Sequence, residues 1–286
     1  MRKIAARFLI SIVFLLCVCN PSGAVLRLHF IAVGHGDAVL IEEDGSGVAL
    51  VDAGKPQAGP VVLDYLAGLG IRKLDHLFVT HNHEDHVGSV PLILDSIEVG
   101  IIHHTGMVDD WEAAQAFADY LATGQWLVDV TDAGDIPISR GDLNIEVLSP
   151  LKEETEGKTV DPNRYSLVLL VTYGEVKILL PADIDKDREK WLIDRYGPRL
   201  DCRAMKASHH ASRRGNCKQF LEAVSPEVVV VTVGPNTWGY PSDKTLNRLR
   251  QHCPTVLRTD EVGTVILETD GKSLSVSLPE SEGQNP

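Results

Sequence analysis

The chain has 286 residues, and its 40 acidic and 27 basic side chains give a formal net charge of −13 at neutral pH. This length suits one large domain or two small ones. The acidic balance argues against broad electrostatic attraction to nucleic acid, although bound divalent cations would supply local positive charge and keep a metal-dependent nuclease open as a function.

The N-terminus has the three parts of a secretory signal peptide. Arg2, Lys3 and Arg7 form a basic region, residues 8–18 form a short apolar run, and Ser22-Gly23-Ala24 supplies small residues for cleavage. The apolar run is short for a membrane span, so an uncleaved anchor is the alternative. The membrane is expected to be involved only through this segment.

We therefore expect residues 1–24 to be a signal peptide and residues 25–286 to be a single domain that is secreted or periplasmic. Residues 1–24 carry three basic side chains and no acidic one, so their removal changes the net charge from −13 to −16. An exported chain keeps Cys202, Cys217 and Cys253, and an odd number leaves at least one thiol unpaired. A Cys202–Cys217 disulfide is one option.

Apolar alternation predicts strands over residues 25–33, 38–41 and 48–51, and a helix over residues 60–69 precedes an apolar strand that ends at His81. The rest of the first half continues with a helix over 86–97, a strand over 101–104, a helix over 110–121, and strands near 126–129 and 144–148.

Residues 151–164 are charged and rich in turn formers, which indicates an exposed loop rather than a domain boundary. The second half, like the first, combines predicted strands and helices. The strands cover residues 165–171, 176–180, 203–207, 228–233, 255–258, 263–268 and 273–277. The helices cover residues 185–194, 219–224 and 242–251. Two halves of strands with interleaved helices indicate an α+β fold, a four-layer αββα sandwich.

The most informative stretch is His81-x-His83-x-Asp85-His86, which follows the apolar run of residues 77–79. A strand that ends in such a cluster brings several side chains to one point at a sheet edge. His81 and His83 alternate by two, while Asp85 and His86 open the next helix. Imidazole and carboxylate groups at this spacing predict a site for zinc, with manganese and iron as alternatives. Glu84 lies outside the pattern and is expected to be solvated.

This stretch matches the H-x-H-x-D-H signature of hydrolases with the metallo-β-lactamase fold, and the chain resembles that superfamily. Most of its members do not act on β-lactams, so the signature specifies fold and metal chemistry better than substrate. The superfamily places a metal-bridging Asp at a strand end, which Asp183 would match. Its alternative role is the N-cap of the helix over residues 185–194.

His209 and His210 follow another predicted strand, at residues 203–207. Neighbouring side chains after a strand point in different directions, so we expect one of the two to be the better metal ligand. His209 is preferred because it follows the strand directly. His210 is then an alternative ligand or a proton-transfer group.

Over residues 26–278 the chain resembles a narrower branch, the soluble metallo-β-lactamase-like domain of ComEC competence proteins and its stand-alone relatives. The stretches that carry this resemblance are Val33-Gly34-His35-Gly36-Asp37-Ala38, Asp52-Ala53-Gly54, residues 163–170, Pro181-Ala182-Asp183, Ser208-His209-His210, residues 233–236 and residues 258–260.

The chain departs from this branch at three positions, where His35 replaces Gln, Ala211 replaces Gly and Tyr240 replaces His. The superfamily's metal-binding His between His86 and Asp183 also has no clear match. Asn163 occupies the analogous stretch. His103 and His104 rival it by residue type, although structural roles are expected for them.

The resemblance implies two divalent metal ions. His81, His83 and Asn163 would hold one metal, Asp85, His86 and His209 the other, and Asp183 would bridge them. Asp85 and Asp183 are the expected catalytic residues, since Asp85 could also orient the attacking water or take its proton. Asp52 and His35 would fix ligand orientation, and Asn236 and Tyr240 are candidate substrate contacts.

The resemblance further implies cleavage of phosphodiester bonds, with a small molecule or DNA outside the cytoplasm as substrate. The alternatives are hydrolysis of carboxylic esters, lactones or β-lactams by the same metals, and a non-catalytic binding module built on a metal scaffold. No obligate protein partner is evident in the sequence.

Overall fold

The computed structural model describes residues 23–279. The predicted signal peptide, residues 1–24, lies outside this range except for its last two residues. Within the described part of the chain, every helix is too short or too polar to traverse a lipid bilayer.

Two β-sheets form the centre of the fold. The first half of the chain contributes strands β1 to β8, which are Leu26–Phe30, Val39–Glu43, Ser46–Val51, Lys73–Phe78, Glu98–His104, Leu127–Val130, Ile138–Arg140 and Leu143–Ser149. The remaining strands, β9 to β15, are Val168–Tyr173, Val176–Leu180, Ala204–Lys206, Val228–Val231, Thr255–Arg258, Val265–Thr269 and Leu274–Ser277.

The first sheet has the order β15-β14-β1-β2-β3-β4-β5-β6, and the second has the order β13-β12-β11-β10-β9-β8-β7. Strands β3 to β6 run parallel to one another, and so do β10 to β13. The last two strands, predicted among those of the second half, return to the first sheet, where β14 pairs with β1 in antiparallel fashion. The chain thereby closes across both sheets rather than forming two independent halves.

Helices cover the outer faces of both sheets. In the described residues they are α1 to α9, at Gly59–Gly68, Glu84–Val87, Val90–Ser96, Glu112–Ala122, Lys152–Thr155, Lys186–Tyr196, Lys218–Val224, Asp243–His252 and Thr259–Val262. The helix predicted over residues 86–97 is two helices, α2 and α3, separated by Gly88 and Ser89. The predicted loop over residues 151–164 contains α5, whose Thr155 is buried and donates a hydrogen bond to the Thr105 carbonyl at 2.8 Å.

Three apolar clusters hold these layers together. One lies between the sheets and includes Phe30 and Phe78 from the first sheet and Val171 from the second. A second joins the first sheet to α1, α3 and α4, and a third joins the second sheet to α6, α7 and α8. Because every boundary between layers is apolar, burial of these apolar faces stabilises a four-layer αββα sandwich. The predicted fold is confirmed.

The three cysteines of the described residues are free thiols. Cys202 and Cys253 are buried in the cluster beneath α6 to α8, and Cys217 packs against the same cluster. Burial raises the pKa of Cys202 to about 12, so this thiol is unreactive at neutral pH. The Cys202–Cys217 pairing that the sequence allowed is therefore not formed.

His103 and His104 were the alternatives to Asn163 for the metal ligand that has no clear match in the sequence. In the structure, both side chains form hydrogen bonds within the fold, as expected for structural roles. His103 Nε2 lies 2.9 Å from His76 Nδ1, and His103 Nδ1 lies 3.0 Å from Thr131 Oγ1. His104 Nδ1 accepts a hydrogen bond from the Gly106 amide at 3.2 Å. Neither belongs to a group of potential metal donors among the described residues.

We predict that His103 makes the fold less stable in mild acid. Burial, with the neighbouring His76, lowers the pKa of His103 from 6.5 to about 4. The unfolded chain binds this proton below pH 6.5 and the folded chain only near pH 4, so the free energy of unfolding should fall as the pH drops through this window. Urea unfolding between pH 7.5 and 4 should show a weaker pH dependence for His103→Gln than for wild type.

The control is His252→Gln, on helix α8, whose Nδ1 lies 2.8 Å from its own helix's Arg248 carbonyl oxygen. This variant should keep the wild-type pH dependence. An unchanged pH dependence in His103→Gln would contradict the assignment.

Candidate metal centre

The centre is built at the carboxyl ends of parallel strands. Asp52 follows β3 and His81 follows β4 in the first sheet, while Asp183, Lys206 and the His209-His210 pair lie at the ends of β10 and β11 in the second. The carboxyl ends of parallel strands lie at one edge of a sheet, and the two sheets bring their edges together here. Each sheet therefore supplies half of the site.

Asp183 is the point where these segments converge. Its Oδ2 lies 3.3 Å from His210 Nε2, 3.4 Å from His86 Nε2 and 3.8 Å from His209 Nε2. The side chain is almost fully buried. Burial opposes ionisation, but the neighbouring side chains of His210, His86 and Lys206 hold the pKa of Asp183 well below its usual value. A single carboxylate oxygen thus faces three imidazole nitrogens.

The other oxygen of Asp183 faces a buried lysine. Lys206 Nζ lies 3.3 Å from Asp183 Oδ1 and 2.7 Å from Asp37 Oδ2, and it donates to the Ala182 carbonyl at 3.0 Å. Lys206 is 1% exposed. Burial disfavours its charged form, yet the two carboxylates raise its pKa above the usual value, so the ammonium is a fixed internal cation.

Two histidines have one ring nitrogen anchored and the other free. His86 Nδ1 lies 2.7 Å from Asp52 Oδ2, and His210 Nδ1 lies 2.7 Å from the Thr232 carbonyl oxygen. Within residues 23–279, the buried Nε2 atoms of both rings have no hydrogen-bond partner. An acceptor on Nδ1 selects the tautomer whose Nε2 lone pair is available, which is the arrangement of a metal-binding histidine. These orphaned nitrogens fit a metal site.

Asp52 holds the H-x-H-x-D-H turn in place through hydrogen bonds from Thr80. Its Oδ1 accepts the Thr80 amide at 2.8 Å and its Oδ2 accepts the Thr80 hydroxyl at 2.7 Å. Thr80 Oγ1 in turn lies 3.0 Å from His81 Nδ1, and His81 Nε2 lies 3.1 Å from His83 Nδ1. Burial and the neighbouring His86 hold the pKa of His81 well below its usual value, so His81 is neutral and can act as a ligand. Glu84 is exposed, as predicted.

The donor atoms form two separate groups. His81, His86 and Asp183 form one group, and His35, Asp85 and His210 form the other, with the donor atoms of each group within 4.8 Å of one another. The sequence had grouped His86 with Asp85, and had treated His35 as a residue that orients ligands. In the structure His35 Nε2 lies 3.5 Å from Asp85 Oδ2.

Two further groups contain Asp37 together with Asp183 and His210, or with Asp52 and His86. Their polar atoms are already engaged, because Asp37 binds Lys206 and the Thr232 hydroxyl, and Asp52 binds His86. These groups are the hydrogen-bonded support of the centre rather than open donor sets.

Both members of the histidine pair reach the centre, although adjacent side chains on an extended chain diverge. His209 and His210 adopt positive φ angles of 50° each, and Ala211 follows with 57°. This left-handed turn bends the chain so that both rings approach Asp183. Of the two, His210 is the closer to Asp183 and also lies 3.6 Å from Asp85 Oδ2, so the geometry favours it over His209. The left-handed turn is a local strain that the sequence did not reveal.

The loop of residues 33–38 packs directly against the metal-binding turn. The Asp37 amide donates to the Asp85 carbonyl at 3.0 Å. Gly36 has φ of +141°, and a Cβ atom there would lie 2.3 Å from the Asp85 carbonyl oxygen. Only glycine permits this approach, which explains why the stretch His35-Gly36-Asp37 belongs with the metal ligands.

A cavity of about 440 Å³ opens above the donors. Asn163 lines it, and the buried Oδ1 of this side chain has no hydrogen-bond partner in the described residues, which suits an oxygen ligand. Tyr240 also lines the cavity, with its ring 5.4 Å from that of His209. The remaining walls come from His83, Glu84, Trp111, Trp238, Lys55 and Arg214.

Asn236, a predicted substrate contact, instead holds its own loop. Its Nδ2 donates to the carbonyls of Gly234 and Tyr240 at 2.9 and 2.7 Å, and its Oδ1 accepts the amides of Trp238 and Tyr240, both at 3.1 Å. These four bonds use the full hydrogen-bonding capacity of the amide, and the residue does not line the cavity above the donors.

Two residues of the site were missed in the sequence. Asp37 was noted only as part of the 33–38 stretch, and Lys206 only as the residue before Ala207-Ser208-His209-His210, with no role assigned to it. A lysine directly before Ala207-Ser208-His209-His210, at the end of a predicted buried strand, was the available signal, because a lysine in such a place needs buried acidic partners.

Two packed sheets with outer helices, and a buried His/Asp centre at their common edge, define a class of metal-dependent hydrolases. The model of the metallo-beta-lactamase superfamily matches residues 31–234. The chain belongs to this superfamily, and the predicted membership is confirmed.

Curated relatives support the narrower resemblance. The chain is 26% identical over 274 residues to ComE operon protein 3 of Bacillus subtilis strain 168, a match that covers 89% of this chain and 34% of the relative. It is 30% identical over 234 residues to Competence protein ComA of Neisseria gonorrhoeae, covering 81% and 30%. The chain thus spans about a third of the length of each relative.

Solved structures share the fold. CmlA, a diiron β-hydroxylase from Streptomyces venezuelae, matches with a TM-score of 0.53 and 18% identity, over 87% of this chain and 55% of that one. A metal-dependent hydrolase of the beta-lactamase superfamily matches with a TM-score of 0.53 and 14% identity, over 85% of this chain and 98% of that one.

We predict that Lys206→Met destabilises the metal-free protein by about 3–5 kcal/mol, because it leaves the carboxylates of Asp37 and Asp183 buried without their cation. Lys73→Met is the control, since Lys73 pairs with Glu98 at 2.9 Å on the surface, with half of its side chain exposed. It should leave the urea midpoint close to that of wild type, because an exposed ion pair contributes little to stability. Urea denaturation with a chelator present measures both values. Equal effects would contradict the role of Lys206.

Proposed function

We propose that the chain is an exported, metal-dependent phosphodiesterase that acts on nucleic acid or a small phosphodiester. The observation that carries this proposal is the coincidence, in one cavity, of two groups of metal donors and two cationic side chains. Lys55 and Arg214 line the cavity that contains Asp183 and Asp85, and neither forms an ion pair in the part of the chain that the structure describes. An anionic substrate would neutralise them.

The donor sets assign the ligands. His81, His86 and Asp183 would hold one metal, with His83 and Asn163 beside them, and His35, Asp85 and His210 would hold the other, with Asp183 close to His210. When bound, the two metals would activate water and stabilise charge on the attacked phosphorus. Imidazole and carboxylate donors suit zinc, manganese or iron, and CmlA, which shares the fold, is a diiron enzyme.

The remaining roles belong to the chain's own side chains. Asp85, only partly buried at the cavity floor, is placed to orient a nucleophilic water and to accept its proton. Tyr240 lines the cavity beside His209, where its hydroxyl can donate a hydrogen bond to the leaving oxygen. Burial raises the pKa of Tyr240, so this proton is retained at neutral pH. Lys55 and Arg214 would position the phosphate.

The nature of the relatives adds to the argument for a nucleic acid substrate. One of the two curated relatives is a competence protein by name, and this chain corresponds to about a third of each relative. Export is part of the proposal because residues 1–24 have the basic, apolar and small-residue regions that are typical of a secretory signal peptide. No obligate protein partner is part of the proposal.

The central experiment compares substrate classes. Protein reconstituted separately with zinc, manganese and iron should hydrolyse a phosphodiester, such as bis-p-nitrophenyl phosphate or a labelled oligonucleotide, in preference to nitrocefin and a panel of lactones. Asp183→Asn should lose turnover, because the carboxylate at the centre of the donor set becomes a neutral amide. Circular dichroism should show that this variant is folded.

Three outcomes would count against the proposal. Preferred hydrolysis of lactones or nitrocefin would support the second enzyme class. The absence of turnover with every metal would support a binding module. Full activity of a folded Asp183→Asn variant would show that the Asp183 carboxylate is not required at the metal centre.

We predict that His35→Gln weakens one metal site and spares the other. Glutamine is the residue that related domains carry at this position, and it lacks the imidazole nitrogen that lies near Asp85 and His210. Titration of the metal-free protein with Co²⁺, followed by visible absorption, should give two binding events in wild type. The variant should lose affinity in one event by about 10- to 100-fold, as for the loss of a metal-supporting residue. Two unchanged events would show that His35 only packs against the centre.

A further inference from the structure

Two tryptophans are exposed at the walls of the metal cavity. Trp111 is 57% exposed and Trp238 is 56% exposed, and both line the cavity that contains Asp183 and His210. The other two tryptophans, Trp126 and Trp191, pack against apolar clusters. Large aromatic side chains that are held in water beside a catalytic cavity indicate a binding surface for a flat, apolar group.

The ring of Trp238 continues a row of aromatic rings that starts in the metal centre. The His35 ring lies 4.5 Å from that of His210, and the Trp238 ring is stacked on His35 at 5.0 Å with an interplanar angle of 29°. On the other side of the cavity, the Trp111 ring stands edge-on to His83 at 5.9 Å and 86°. Trp238 therefore adjoins a histidine of one donor group, and Trp111 adjoins His83 of the H-x-H-x-D-H turn.

The Trp238 loop is preorganised. Asn236 binds the amide of Trp238 and both backbone groups of Tyr240. Gly234, at the start of the loop, packs so closely on the neighbouring loop that a Cβ atom there would lie 2.5 Å from the Gly34 carbonyl carbon. A held loop loses little conformational entropy on binding, which favours recognition by the indole.

Positive charge accompanies the indoles. Lys55 Nζ lies 4.9 Å from the centre of the Trp238 ring, and Arg214 lines the same cavity. The cavity shares His83, Glu84 and Trp111 with a second one of about 370 Å³, which is also lined by Pro56, Glu112 and Ala113. An aromatic face beside cations, next to the metal donors, matches the pairing of a base with its phosphate in a single strand.

Duplex nucleic acid does not suit this arrangement. Its bases are stacked on one another and present no free face to an indole, and residues 25–286 lack the positive charge that attracts a duplex backbone over a long surface. A single strand can turn its bases onto aromatic side chains, and stacking does not depend on which base is present. The substrate features that remain are a flat base and an adjoining phosphate.

We propose that Trp238 and Trp111 are stacking residues that bind nucleobases on either side of the cleaved phosphodiester, so that the preferred substrate is a single-stranded nucleic acid read without sequence preference. This inference rests on the proposed phosphodiesterase function and specifies its substrate. Trp238 is the principal stacking residue because Asn236 fixes its loop and Lys55 lies against its ring. Trp111 would stack on a base of the same nucleic acid on the side of the cavity next to His83.

The test uses two probes of equal length, a single-stranded oligothymidylate and an abasic strand with the same phosphates. Trp238→Ala should raise KM for the oligothymidylate by roughly 5- to 150-fold, the range for the loss of one stacked base, and leave KM for the abasic strand unchanged. Trp111→Ala should show the same selectivity with a smaller effect. Trp238→Phe should restore most of the loss because it keeps an aromatic face.

The control variant is Leu127→Ala, since Leu127 is 70% exposed on edge strand β6 and does not line the metal cavity. It should not change KM for either probe. A second readout is independent of turnover. A phosphorothioate oligothymidylate that resists cleavage should quench the tryptophan fluorescence of the metal-loaded protein, the abasic strand should not, and Trp238→Phe should reduce the quenching.

The outcomes separate this inference from the proposed function. Cleavage of both probes with equal KM, unaltered by Trp238→Ala, would overturn base stacking and leave the phosphodiesterase intact. Quenching by the oligothymidylate without cleavage of any phosphodiester would overturn the proposed function and leave stacking intact. Preference for duplex over single strand, or quenching by a chito-oligosaccharide in place of the oligothymidylate, would overturn the inference.

Discussion

The whole centre depends on the carboxylate of Asp183, whose two oxygens contact different partners. Oδ1 faces the ammonium of Lys206, and Oδ2 faces the imidazoles of His86 and His210. A buried carboxylate is costly without partners, and the fixed cation of Lys206 stabilises it. Lys206 also binds Asp37, which fastens the loop of residues 33–38. The charge of one lysine thus helps two carboxylates, those of Asp37 and Asp183, to remain ionised in a buried space.

The sandwich explains how these groups meet. In each sheet the strands that carry the site run parallel, so the residues that follow β3, β4, β10 and β11 emerge at one edge. The apolar cluster between the sheets fixes the distance between the two edges. Supporting hydrogen bonds then orient individual rings, as Asp52 does for His86 and the Thr232 carbonyl does for His210. Precision at the centre comes from this rigid frame and not from the loops alone.

Two positions at which the sequence departs from the ComEC-like pattern that it resembles lie together in space. His35 contacts His210 on one face and Trp238 on the other, and Tyr240 lies near His35 and His209. These two residues shape one wall of the cavity, whereas the H-x-H-x-D-H turn and Asp183 form the centre itself. Chemistry and substrate recognition are therefore carried by separate parts of the site, as is usual when one fold serves many hydrolases.

The sequence by itself determined the superfamily, the layer order and most donor residues, because strand periodicity and the spacing of His81 to His86 are local properties. The tertiary structure decided the rest. The return of β14 to the first sheet, the grouping of His35 with Asp85 and His210, and the pairing of Lys206 with Asp37 all join residues that are distant in sequence. The left-handed turn at His209 and His210 was equally hidden, since it is imposed by the surrounding packing and not by the propensity of these residues. Local pattern shows which residues can bind a metal, but only packing shows which of them meet.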